Sequence, residues 1–270
     1  LIYHYTSIEN AIEILGTKKL IFSKLANTND PFEFTNIELS IETDVLVDIK
    51  KMSIQEMGMA KTKYIENQLA KLPSMVNKSN TKVICFSNEK RINSTAVNPR
   101  MWAQYARNNS GCCLVFSKQK IADIARRNAY TFKSIDYVNN STEIIYKVSN
   151  SEIDEFLKID TSQANDKLNN IIFELLFIKR KEWIGENEIR LVNNVGDDFI
   201  NISDSLIAVI SGCKTTITNQ KMLLNLVNDY PNVQLGITEW KNGNGKISRI
   251  DNIFYLRLSI HTAEMIINYF

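Results

Sequence analysis

The residues best suited to chemistry sit in one short stretch, "KEWIGENEIRLV", residues 181–192. On a strand, alternate side chains share a face, so Glu186, Glu188 and Arg190 project together while Ile189 and Leu191 point away. Two carboxylates that close push one pKa upward, and the guanidinium holds the nearer one ionised. Unpaired carboxylates are expensive to bury, so this face must meet water, a partner or a ligand. An exposed face bearing an ion pair is the plain alternative. A second group is "IYHYT", which carries one of two histidines in 270 residues. Ile2, His4 and Thr6 share one strand face, and Tyr3 and Tyr5 share the other. An imidazole there can donate to a ribose hydroxyl; the alternative is a half-buried histidine bonded to backbone. The third group is "RMWAQYARNNSG", residues 100–111. On a helix Met101 meets Tyr105 and Trp102 meets Ala106, one pair for the core and one to flank a cleft. Arg100 and Arg107 stand at the two ends, within reach of phosphate. Core aromatics with solvated arginines would give the same pattern.

Composition narrows the function classes. Hydrophobic residues make up 44% and charged residues 23%, ordinary for a soluble globular chain. Basic residues number 32 and acidic 30, a net charge of +2. That balance argues against a grip on long nucleic acid, though Lys118, Lys120, Arg126 and Arg127 form a local basic surface. Cys85, Cys112, Cys113 and Cys213 lack metal-ligand spacing, so packed thiols in a reducing, cytoplasmic setting are expected, with no metal. No apolar run is long enough to suggest a membrane span. No secretory leader is read at the N-terminus as given. No G-x-S-x-G elbow is present for a serine hydrolase.

These groups need elements to hold them. "LIYHY" reads as a strand, followed by a capping box of Thr6 and Glu9 and a helix closed by Gly16. "KVICFS" and "CCLVFS" read as strands, with Cys112 and Cys113 on opposite faces. Pro99 starts a helix. "WIGENEIRLVN" and "LIAVISG" read as strands, and "TNQKMLLNLVNDY" as a helix. Residues 37–72 and 152–181 read as mostly helical. The expectation is one α+β domain over 1–270, with a helical insertion or lid near 37–80.

The motifs Y-H-Y-T (3–6), N-D-P-F-E (29–33), C-F-S (85–87), M-W-x-x-Y-x-x-x-x-x-G (101–111) and W-x-x-E-x-E-x-R (183–190) occur in this order. Together they resemble a bacterial family catalogued as domain of unknown function 2971, and the tail "ISGCKTTITNQKMLLNLVNDYPNVQL" is similar too. The family name supplies no activity. A more distant resemblance does: His4-Tyr5-Thr6 and Glu186-Asn187-Glu188 resemble the first and third elements of ADP-ribosyltransferases. That resemblance implies a mixed, mostly antiparallel sheet fold with flanking helices, and NAD as substrate. It implies Glu188 as the catalytic carboxylate, Glu186 orienting or deprotonating the acceptor, and Tyr105 (or Ser87) as the middle element. His4, Tyr5 and Thr6 would hold the ribose, and Arg100 or Arg107 the pyrophosphate. Trp102, Arg190 and Glu33 would lie nearby. A clear Gly-x-Tyr-Phe segment is lacking. The implied activity is cleavage of the nicotinamide–ribose bond with transfer of ADP-ribose to a protein or nucleic acid, as in a toxin or phage-defence effector. The alternative is a non-catalytic nucleotide- or protein-binding module of the same fold.

Overall fold

The computed structural model describes residues 1–27, 37–40, 81–88, 98–138, 144–147, 170, 173–193, 196–241, 244–249 and 255–256. In chain order come β1 (Ile2–Thr6), α1 (Ile8–Thr17), β2 (Lys19–Ile21), β3 (Ser23–Lys24), β4 (Ile37–Ser40) and β5 (Lys82–Ser87). Next are α2 (Pro99–Gln104), β6 (Cys112–Phe116), α3 (Lys118–Arg127), β7 (Thr131–Ser134), β8 (Asp136–Val138), β9 (Ile144–Lys147) and β10 (Ile178–Arg180). The last are β11 (Glu188–Asn193), β12 (Phe199–Asn201), β13 (Leu206–Ser211), α4 (Ile217–Val227), β14 (Gln234–Lys241), β15 (Asn244–Arg249) and β16 (Tyr255–Leu256). The fold is mixed α and β, with mostly antiparallel open sheets and a few helices.

The chain divides into two compact units, one of Leu1–Ser23, Thr81–Ser134 and Gly185–Phe270, the other of Lys24–Asn80 and Ile135–Ile184. The second unit thus draws on two separated stretches, where the sequence suggested an insertion near 37–80 alone. Of that region only Ile37–Ser40 is described; it is a strand paired in parallel with Ile144–Lys147. The helical expectation for the rest of 37–80 lies outside the described residues, as does most of that for 152–181. Within 152–181, Ile178–Arg180 is a strand paired in parallel with Asp136–Val138.

The first unit is built on one sheet in the order β16-β15-β14-β13-β6-β1-β5-β11-β7. Its pairs are antiparallel except β13 with β14. Directly opposed residues share a face, so Ile189 with Phe86 and Leu191 with Ile84 define one side. Ile2, Leu114 and Phe116 join them in the larger core. Helix α1 covers that side through Ile8, Ala11, Ile14 and Leu15, whose spacing gives one apolar stripe. Helices α3 and α4 add Ile121, Ala125, Leu223 and Val227. The other side gathers Tyr3, Tyr5, Cys113, Val115, Ala208 and Ile210 beneath Met101, Trp102 and Ala106. Strand β6 is buried along its whole length because both cores use it, with Cys112 and Cys113 facing opposite ways.

Local capping differs from the sequence expectation by one residue. Ser7, not Thr6, caps α1, its Oγ accepting from the Asn10 amide. The helix runs past Gly16 and ends at a left-handed Lys18. After α2 the chain turns through three consecutive left-handed residues, Arg107, Asn108 and Asn109. Each such residue costs roughly 1–2 kcal/mol. The turn is held because glycines let it lie flat on the sheet. A Cβ on Gly212 would fall 2.1 Å from the Asn109 carbonyl oxygen, and one on Gly111 would fall 2.3 Å from that of Thr6. The Lys214 amide and the Trp240 indole then donate to Asn109.

Candidate functional site

The 3-10 turn Lys181–Glu186 runs into β11 through Asn187, whose φ of 44° is left-handed. The expected continuous strand therefore begins only at Glu188. Two bonds stitch this junction to β5: Ser87 Oγ donates to the Glu186 carbonyl at 2.7 Å, and the Asn88 amide to the Asn187 carbonyl at 2.7 Å. Ser87 opposes Glu188 in the ladder and Cys85 opposes Arg190. These four residues therefore sit on the side away from Phe86 and Ile189, the side that α2 covers.

Glu188 and Arg190, two apart on one strand face, form a doubly bonded pair. Arg190 Nε donates to Glu188 Oε1 at 2.5 Å and Nη2 to Oε2 at 3.3 Å. Their side chains are 5% and 0% exposed. Glu186 is also buried, and its Oε1 accepts a hydrogen bond from the Tyr105 hydroxyl. Burial raises the Tyr105 pKa first, and the charges of Glu186 and Glu188 raise it further, so the phenol stays a donor. Cys85, opposite Arg190 in the ladder, raises it as well. Tyr105 is half-buried and forms the accessible side of the group. Strand alternation puts Cys85 on the face of Ser87, so spacing alone marks it as a neighbour of this group. Asn98, the α2 cap, donates to the Gly185 carbonyl at 3.4 Å, and Arg100 lies over the same glycine.

The structure separates other expected site residues from this cluster. His4 and Glu188 do not line one hollow. His4 shares the face of Ile2, and its ring meets the edge of Phe86 at 6.0 Å, within the larger core. Its Nδ1 bonds the Cys85 carbonyl at 2.9 Å. Strands β1 and β5 pair only at Tyr3 and Ser87, so the imidazole serves a carbonyl that the ladder has left. Burial holds its pKa below the ordinary 6.5, partly offset by that bond. Here the structural alternative for His4 is the one realised. Thr6 is buried on the same side.

Tyr5 and Trp102 lie on the cluster's face but are core residues. Their rings meet edge to face at 5.6 Å, and Trp102 is 0% exposed, so it offers no surface to a ligand. Met101, its helical neighbour, is buried as well, so both helical pairs contribute to the core. Arg107 is exposed and pairs at 3.9 Å with Glu9 on the first turn of α1, away from Glu186. Glu33 lies outside the described residues. Among the described residues no group of three or more His, Cys, Asp or Glu side chains could hold a metal ion. No helix among them is long and apolar enough to cross a membrane.

Residues 101–191 match the model of a family described as protein of unknown function (DUF2971). The matched DUF2971 stretch contains Tyr105, Glu186, Glu188 and Arg190 and leaves out His4. No curated protein and no solved structure matches the chain.

Proposed function

We propose that the chain is an ADP-ribosyltransferase-like enzyme that cleaves the nicotinamide–ribose bond of NAD and passes ADP-ribose to a protein or nucleic-acid acceptor. What supports this reading is one observation: two buried carboxylates, a buried guanidinium and a phenol converge on a single sheet face. Desolvating each ion costs several kcal/mol, so a fold that needed only stability gains little from this arrangement. Groups with perturbed pKa values concentrate where chemistry is done.

The chemistry follows from the charges. The C1′–N bond breaks and its electron pair leaves with nicotinamide, so positive charge develops on the ribose. Glu188, kept ionised by Arg190, stabilises that charge. Glu186 accepts the proton of the attacking acceptor. Tyr105 must first turn its hydroxyl away from Glu186, and its ring then offers a stacking surface to nicotinamide. His4 has no part in this version of the site. The finer fold assignment, an ADP-ribosyltransferase-like sheet, belongs to the same proposal. So does a cytoplasmic setting, where the free cysteines Cys85, Cys112, Cys113 and Cys213 stay reduced.

The test is nicotinamide release from NAD by purified protein, compared with Glu186→Gln and Glu188→Gln. Turnover in the parent and a ~10²–10³-fold loss in Glu188→Gln are expected. Full activity in Glu188→Gln would falsify the assignment. A second reading, a non-catalytic module, is favoured by the bidentate hold of Arg190 on Glu188, which already satisfies that carboxylate internally. No turnover, with a midpoint raised by ADP-ribose, selects a nucleotide-binding module. No turnover and no shift with any nucleotide selects a protein-partner role.

A further inference from the structure

We propose that the cleft between α3 and the free edge of β12 takes an extended acidic peptide, which adds to β12 as a further strand. This site is independent of the carboxylate cluster and of the NAD reading. The cleft encloses about 890 Å³ and is lined by Lys120, Asp123 and Arg127 from α3 and by Phe199, Ile200 and Asn201, the whole of β12. Strand β12 pairs with β2 on one edge, and among the described strands none pairs with the other. In an antiparallel ladder, alternate residues turn their N–H and C=O groups to opposite edges. Two bonds that continue the ladder fix the phase: the Phe22 amide donates to the Asp198 carbonyl at 2.8 Å, and the Ile202 amide to the Lys18 carbonyl at 3.0 Å. Asp198, Ile200 and Ile202 therefore bond toward β2. Phe199 and Asn201 turn their main-chain groups the other way, where the described residues offer them no partner. Such an edge is a template for another strand.

The segment is tied down on either side of this edge. Asn193 Nδ2 donates to the Asp197 carbonyl at 2.7 Å, and the Ser117 amide at the cap of α3 donates to the Ser205 carbonyl at 2.9 Å. Near Asp197, Asn193 Oδ1 is buried with no donor among the described residues, 3.5 Å from the Cβ position that Gly196 leaves empty. An unpaired buried acceptor is costly, and an added strand brings N–H donors to this end. The opposite wall sets the chemistry. Lys120 and Arg127 lie two turns apart on α3, roughly 10 Å along its axis. Lys120 Nζ and Arg127 Nε donate to the main-chain carbonyls of Asp204 and Asp123, and among the described residues neither cation pairs with an acidic side chain. Arg126, by contrast, is paired with the Asp123 carboxylate. Acidic side chains at alternate positions of an extended chain recur every ~6.7 Å, a spacing that serves both cations. Asp197 and Asp204 also line the cleft, which disfavours a long polyanion such as nucleic acid. Main-chain bonds to the edge give the grip, and the charged wall selects the side chains.

The experiment titrates the full chain with a fluorescein-labelled peptide alternating valine and glutamate, read by anisotropy, beside amide hydrogen exchange followed by NMR. Saturable binding is expected, with the Phe199 and Asn201 amides becoming protected as the peptide is added. Lys120→Ala and Arg127→Ala should each weaken binding ~2- to 5-fold, and a peptide alternating valine and lysine should bind more weakly than the parent peptide. Asn201→Pro removes a donor from the free edge without touching the ladder to β2, and should abolish binding. If that variant does not fold, the two alanine variants and the exchange data carry the test. No saturable binding, equal binding of the fully N-methylated peptide, or binding that leaves the Phe199 and Asn201 amides unprotected overturns the proposal. So does protection of those amides by self-association of the chain, or by an oligouridylate in place of the peptide.

Discussion

The two faces of the central sheet are made by alternate residues of the same strands, yet they solve burial differently. Along β11, Ile189 and Leu191 enter an apolar core closed by helices, while Glu188 and Arg190 on the opposite face carry charge into an equally dry place. Leu191 and Arg190 are adjacent and both are 0% exposed. The first is held by contact alone. The second is met by Glu188 with two hydrogen bonds. One face therefore tolerates changes of shape poorly, and the other tolerates changes of charge poorly.

The comparison can be broken most sharply at Arg190. Arg190→Ala leaves Glu188 buried without its guanidinium and should destabilise by about 3–5 kcal/mol in denaturant unfolding. The double change Glu188→Leu with Arg190→Met should recover most of that loss. A double variant as unstable as Arg190→Ala would mean that the pair is not energetically coupled. On the apolar face, Leu191→Ala should cost ~2–5 kcal/mol through transfer and cavity formation. Unlike the charged-face variant, its effect should not respond to salt or pH.

A smaller effect is expected at Tyr105. Tyr105→Phe removes the donor to a buried carboxylate and should cost about 1–3 kcal/mol. Denaturant unfolding of the Tyr105→Phe variant beside the parent reads that loss. The smallest effect concerns His4. Its folded-state pKa lies below 6.5, so the unfolded chain binds a proton that the fold excludes. Stability is full above about pH 6.5 and falls as pH drops beneath it, by at most ~1.4 kcal/mol per pH unit, until the folded pKa is reached. His4→Gln keeps an amide donor for the Cys85 carbonyl and should flatten that slope. An unchanged slope would show that other groups set the acid response.

The acidic cluster was legible because strand alternation is local. Glu188 and Arg190 share a face by spacing alone, and their pairing followed. Glu186 was harder: the left-handed Asn187 interrupts the strand, and the carboxylate joins the cluster through Tyr105 rather than through pleat geometry. The cap of α1 was misplaced by one position because Thr6 and Ser7 both offer a hydroxyl, and β1 claims Thr6 for its ladder with Cys112. His4 misled for a related reason. Its face follows from spacing, but which face carries the carboxylates depends on how β11 registers on β5 and β5 on β1.

Composition, spacing and local propensity determined strands β1, β5, β6 and β13, the apolar face of α1, the opposite facing of Cys112 and Cys113, and the Glu188–Arg190 pair. These depend on neighbours within one turn or one pleat. The tertiary structure alone decided that Tyr105 reaches Glu186, that Arg100 lies over Gly185, and that His4 lies across the sheet from Glu188. Each of those contacts joins segments roughly 80 or more positions apart or depends on strand register. A one-residue shift in register moves every side chain to the other face, and no local pattern encodes which register the assembled core will select.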